Sequence, residues 1–154
     1  MRLRLFCAGL ALLGAGCSDA ATAPYRATSA PAPSGLAVAL NTIPGYEAPP
    51  PAYASITADG DSVIATAPLG ASGCVDYTAA AGVADGDLVV TITTSFPDTP
   101  RACTMDARIE TFRAVVRPAP KGSYDVVLRD RVQRQAGSPS FDERELARRP
   151  VILR

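Results

Sequence analysis

The chain has 154 residues, 47% of them hydrophobic, with 14 Pro, 12 Gly, 4 Cys and neither His nor Trp. That length holds one ordinary domain, and the apolar fraction is enough to fill a core. The absence of His excludes Ser-His-Asp and Cys-His nucleophilic chemistry and every His-ligated metal site. Fifteen basic and fifteen acidic side chains cancel, so no net charge points to nucleic acid.

Residues 1–16 read as a secretory signal. Arg2 and Arg4 give a positive start, and residues 5–15 form an uncharged apolar run. The run is shorter than the roughly 20 residues that a permanent membrane helix needs. Leu13-Gly14-Ala15-Gly16-Cys17 resembles the lipobox of bacterial lipoproteins, with Gly14 at the position that is usually Leu. The resemblance implies that residues 1–16 are removed, Cys7 with them, and that Cys17 becomes the lipidated first residue. Several acyl chains on Cys17 would anchor the protein stably, where one chain alone binds marginally. Ser18 after the Cys, rather than Asp, implies an outer-membrane location facing the periplasm. The membrane, reached through this N-terminal lipid anchor, is thus the first expected partner.

Residues 17–35 are the lipidated Cys and a segment rich in Ala, Pro, Ser and Thr. Such a segment buries too little apolar area to offset ordering, so a disordered tether is expected. Eighteen extended residues reach about 60 Å.

Residues 36–154 form the domain. Leu36, Val38 and Leu40 share one parity, and Val63 and Ala65 follow. Leu88, Val90, Ile92, Thr94 and Phe96 alternate with Asp87, Thr91 and Thr93. Tyr124, Val126, Leu128 and Val132 alternate with Asp125, Arg129, Arg131 and Gln133. Period-2 runs of this kind are half-buried strands. Across residues 108–117 the alternation slips, because Ile109 is odd while Phe112, Ala114 and Val116 are even. A bulge near Glu110 and Thr111 would restore the phase. Ala-Asp-Gly-Asp occurs twice, at residues 58–61 and 84–87. Asp-Gly suits a hairpin turn. A Ca²⁺ site needs six to eight oxygens, and two Asp do not supply them. Ser140 to Glu143 fits a capping box, with arginines at 148 and 149 and Pro150 beyond. This pattern predicts one short C-terminal helix, followed by a short strand over residues 151–154.

Two cysteines remain for the domain, Cys74 and Cys103, 29 residues apart. In an oxidising compartment the pair predicts a disulfide rather than a zinc or redox site. Closing such a loop is worth about 3.5 kcal/mol in chain entropy.

Cys74 with Tyr77, then Cys103-Thr104, then Pro120-x-Gly122-x-Tyr124-x-Val126 resemble elements of immunoglobulin-like and fibronectin-III-like bacterial domains. The resemblance spans residues 50–132. It implies a single antiparallel β-sandwich, all-β, with the Tyr124 hydroxyl bonded to backbone near a corner. The missing Trp departs from the immunoglobulin pattern.

No phosphate loop, G-x-S-x-G or HExxH motif occurs, so neither enzyme activity nor a cofactor or bound metal is expected. Charge is unevenly spread. Residues 17–100 carry one basic and eight acidic side chains, whereas residues 101–154 carry twelve basic and seven acidic. Two readings follow. The halves interleave and neutralise each other, or Arg113, Arg117, Arg129 and Arg131, with Arg148 and Arg149, make a face for an anionic lipid, lipopolysaccharide or acidic envelope protein. The leading expectation is a lipid-anchored, non-catalytic interaction or structural module of the cell envelope. The alternatives are a periplasmic small-molecule or ion-binding protein, and an inhibitor-like domain presenting residues 97–101 to a protease.

Overall fold

The alternating runs become strands that pair into two sheets. The structure, a computed structural model, describes residues 26–28 as backbone, and residues 35–45, 47–99, 102–103 and 107–154. The strands are β1 (Arg26–Thr28), β2 (Val38–Ile43), β3 (Ser55–Asp59), β4 (Ser62–Ala71), β5 (Asp76–Ala84), β6 (Asp87–Ser95), β7 (Arg108–Val116), β8 (Gly122–Gln133) and β9 (Phe141–Leu153). A five-stranded sheet has the order β1-β9-β8-β6-β5, and a four-stranded sheet the order β2-β7-β4-β3. The signal, Cys17 and the lipid anchor lie outside the described residues. Strand β1 falls within the segment expected to be tether.

The sheets pack face to face as an all-β sandwich. From β4 come Val63, Ala65, Ala67, Leu69 and Ala71, and from β7 Phe112, Ala114 and Val116. They meet Leu88, Val90 and Ile92 of β6, Val126 and Leu128 of β8, and Val151 and Leu153 of β9. Each fully buried Leu, Ile, Val or Phe contributes about 1.5–3 kcal/mol.

Both Ala-Asp-Gly-Asp repeats make two-residue hairpin turns, with Gly60-Asp61 as the loop of the first and Asp85-Gly86 as that of the second. Gly60 has φ 58°, while Asp85 and Gly86 have φ 53° and 85°. Positive φ at both central residues of the second turn matches the twist of flanking strands.

Three expectations are corrected. The five-stranded sheet is not antiparallel throughout, because β6 and β8 run parallel. Between them the chain crosses to the other sheet, adds β7 beside β4, and returns. Strand β7 has no bulge; its register with β2 and β4 is continuous. Its even residues all face inward, including Glu110, so Ile109 points out and is 53% exposed. The expected C-terminal helix is strand β9, paired with β8 over its whole length. A bulge at Leu128/Arg129 places Leu146 as the extra residue of β9. That shift moves the inward positions from even to odd, bringing Val151 and Leu153 into the core. A phase change in mid-strand removes the period-2 signal.

The sandwich is stitched along both sides. On one side Leu36 bridges Ala81 of β5. On the other, Arg149 Nη1 donates to the carbonyl of Ile56 on β3, at 2.8 Å.

Candidate functional site

Two regions carry polar groups beyond ordinary turns. The first is the outer face of the five-stranded sheet. Arg148 of β9 lies between three carboxylates, Asp87 of β6 at 2.9 Å, Asp125 of β8 at 3.6 Å and Glu145 of β9 at 3.2 Å. Hydrogen bonds that it donates to Glu145 and then to Asp87 hold its pKa above the ordinary guanidinium value. Arg129 pairs with Glu143 at 2.9 Å, diagonally across the β8–β9 ladder, in which Glu143 stands opposite Arg131. Arg131 stacks over the Phe141 ring, 4.2 Å from its centre. Burial lowers the Arg131 pKa, with Glu143 acting in the opposite sense. These groups sit on the same face as Val89 and Val127, which are fully buried although they point away from the core.

The four arginines expected to form one face are divided between the two sheets. Arg113 is exposed on the outer face of the four-stranded sheet, and Arg117, just beyond β7, pairs with Asp61 at 3.2 Å. Arg129 and Arg131 are on the opposite side of the sandwich. The acidic and basic halves of the chain meet at Arg117–Asp61 and Arg148–Asp87. The other ion pairs among the described residues join partners within the basic half, such as Arg134–Asp142 and Arg144–Asp130. The sequence reading gave Glu143 to a helix capping box, and so missed its partnership with Arg129 on the neighbouring strand.

The second region is one end of the sandwich. A cavity of about 490 Å³ is lined by Gly70, Ala71, Ser72, Val75, Tyr77, Thr94 and residues 107–109. Tyr77 lines it. The Tyr77 ring lies 4.7 Å from that of Phe112, and its hydroxyl accepts from the Ser72 backbone N–H at 2.7 Å. The Cys74–Cys103 disulfide forms, as expected, beside this cavity. Arg108 at the rim pairs with Glu110, whose side chain is turned inward and buried. No sequence signal marked Glu110, because a carboxylate at an inward position reads as a break in phase. Among the described residues no group of three or more Cys, Asp or Glu is placed to hold a metal ion. Asp61 and Asp87 of the two turns are occupied by Arg117 and Arg148.

Apart from these two regions stands Tyr124. Its hydroxyl donates to the Lys121 carbonyl at 3.2 Å, folding the ring back over Gly122. Gly122 has φ 142°, and a Cβ there would lie 3.0 Å from the Tyr124 ring. Compared with known proteins, the chain matches no family model, no curated protein and no solved structure.

Proposed function

We propose that the protein is a lipid-anchored component of the bacterial cell envelope, whose sandwich serves as a non-catalytic interaction or structural module. The observation that carries this reading is the run Leu13-Gly14-Ala15-Gly16-Cys17 behind a short, positively started apolar segment. The Cys74–Cys103 disulfide supports it, since such bonds persist in oxidising compartments. Ser18 supports an outer-membrane address facing the periplasm. The immunoglobulin-like kinship belongs to the same proposal. The Tyr124 hydroxyl bonded to upstream backbone supports it, and the parallel β6–β8 pair departs from it. Exposed Arg113 is the arginine best placed to meet an anionic lipid, lipopolysaccharide or acidic protein.

Metabolic labelling with palmitate, with and without Cys17→Ser, tests the anchor. Label is expected on the parent chain and absent from the variant, which should also leave the membrane fraction. Equal labelling of both would overturn the reading.

A second reading, a periplasmic small-molecule carrier, is favoured by the end cavity alone. Its volume lies within the ordinary range for ligand sites, and its lining is mostly small and apolar. A neutral apolar fluorophore should then bind saturably and be displaced by Ala71→Trp, which fills the cavity. Binding that is unaffected by this change would remove the second reading.

A further inference from the structure

The connection from β2 to β3 is longer than the join requires. Ile43 ends β2 level with Thr111 and Pro68, and Ser55 opens β3 level with Thr66. In the order β2-β7-β4-β3 these ends are three strand intervals and two residues apart, about 16 Å. Eleven residues lie between Ile43 and Ser55, and a chain of that length reaches roughly 40 Å. Both ends of the surplus are fixed. The Glu47 and Ala48 N–H groups donate to the Pro44 carbonyl, at 3.0 and 3.3 Å. Ala54 packs against the core.

Between these points runs Pro49-Pro50-Pro51-Ala52-Tyr53, without a charged side chain. Proline fixes φ at about −65°, and a residue before proline is driven out of the helical region. The two restraints together favour polyproline II over residues 49–51, which lie outside any strand or turn. Pro49, Pro51, Ala52 and Tyr53 are exposed, and Pro50 is half-buried. Tyr53 is 83% exposed, more than any other large hydrophobic side chain among the described residues. Tyr77 and Tyr124 bond backbone groups through their hydroxyls. Tyr53 stands in solvent instead. A scattered exposed hydrophobe is ordinary, but an aromatic joined to a rigid proline run makes a continuous apolar ridge.

We propose that residues 49–53 are a presented ligand for a partner protein that carries an aromatic-lined, polyproline-reading groove. Prolines stack on the rings of such a groove, and a neighbouring pocket takes the Tyr ring and bonds its hydroxyl. The segment has already lost the freedom that binding would otherwise remove, so little ordering cost opposes association. This inference rests on the interaction-module reading, to which it gives a partner chemistry, and not on the lipid anchor.

The test uses the full chain with Cys17→Ser, so it is independent of lipidation. The probe is a WW domain, a small generic binder of polyproline II. Calorimetry should show saturable binding to this chain, weakened roughly tenfold or more by Tyr53→Ala and by Pro51→Ala. Both changes should leave Tm within about 2 °C, because the positions are exposed. Absence of binding, or binding that neither change weakens, overturns the proposal. Tyr53→Trp gives the chain its only Trp. A blue shift of its emission on phosphatidylglycerol vesicles, without binding of the Tyr53 chain to the probe, would assign the ridge to the membrane instead. In the cell, a photo-reactive residue at position 53 should cross-link a partner through a segment carrying Trp, Tyr or Phe, and Pro50→Ala with Pro51→Ala should abolish the adduct. No adduct, or one that survives this change, overturns the groove. Failure of palmitate labelling would leave these results standing, and failure here would leave the anchor standing.

Discussion

Arg148 shows how one side chain can organise a sheet surface. It touches carboxylates from three strands, β6, β8 and β9, and so ties together strands that are distant in sequence. Its raised pKa keeps the guanidinium charged into strong alkali. Arg148→Ala leaves Asp87, Asp125 and Glu145 facing one another without a cation. Thermal melts should show Tm lower by a few degrees, with a larger loss at low salt than at high salt. Arg148→Lys should recover only part of the loss, because an ammonium cannot fork between carboxylates. An unchanged melt at low salt would mean that the three contacts add nothing. Tyr124 acts differently, through geometry. Tyr124→Phe removes the bond to Lys121 and should cost about 0.5–1.5 kcal/mol. Gly122→Ala should cost more, because it meets both a positive φ and the Tyr124 ring. Denaturant titration of the two variants gives the order directly.

At the scale of elements, legibility followed uninterrupted phase. Strands β6 and β8 were readable because Leu88, Val90 and Ile92, and then Val126 and Leu128, keep one parity inside the core. Strand β7 misled because an inward carboxylate, Glu110, stands where a hydrophobe would signal the phase, while Ile109 is left outside. Strand β9 misled because its bulge splits the pattern into two short pieces of opposite parity. Local charge and capping signals over residues 140–149 then resembled a helix. Pairing with β8 overrides that weak local preference. The bulge makes a sharp expectation. Deleting Leu146 removes the extra residue and preserves the facing of every other position, so the domain should still fold. The cost would be roughly 1–3 kcal/mol of lost Leu packing. Deleting Arg149 instead turns Val151 and Leu153 out of the core and should destabilise much more. Urea melts of the two deletions measure the difference, and equal losses would contradict the bulge register.

For the whole molecule, the sequence reading reached the all-β class, the two hairpin turns and the disulfide, but not the order of the strands. Strand order depends on contacts between residues such as Val90 and Leu128, which no local pattern encodes. The disulfide is where topology and sequence meet. Cys74 lies between β4 and β5, where the chain leaves the four-stranded sheet, and Cys103 lies between β6 and β7, where it returns. The bond therefore clamps two sheet-to-sheet crossovers side by side, at the end of the sandwich that holds the cavity. Removing it should have two effects. Cys74→Ser with Cys103→Ser restores loop entropy to the unfolded chain and should lower the unfolding free energy by about 3.5 kcal/mol. It should also loosen Ser72 and Val75 at the cavity rim, weakening any apolar probe held there. Urea melts and probe titration of the same variant separate these effects. A large stability loss with unchanged probe binding would assign the disulfide to the sheets alone, whereas loss of both would make it a structural support of the cavity.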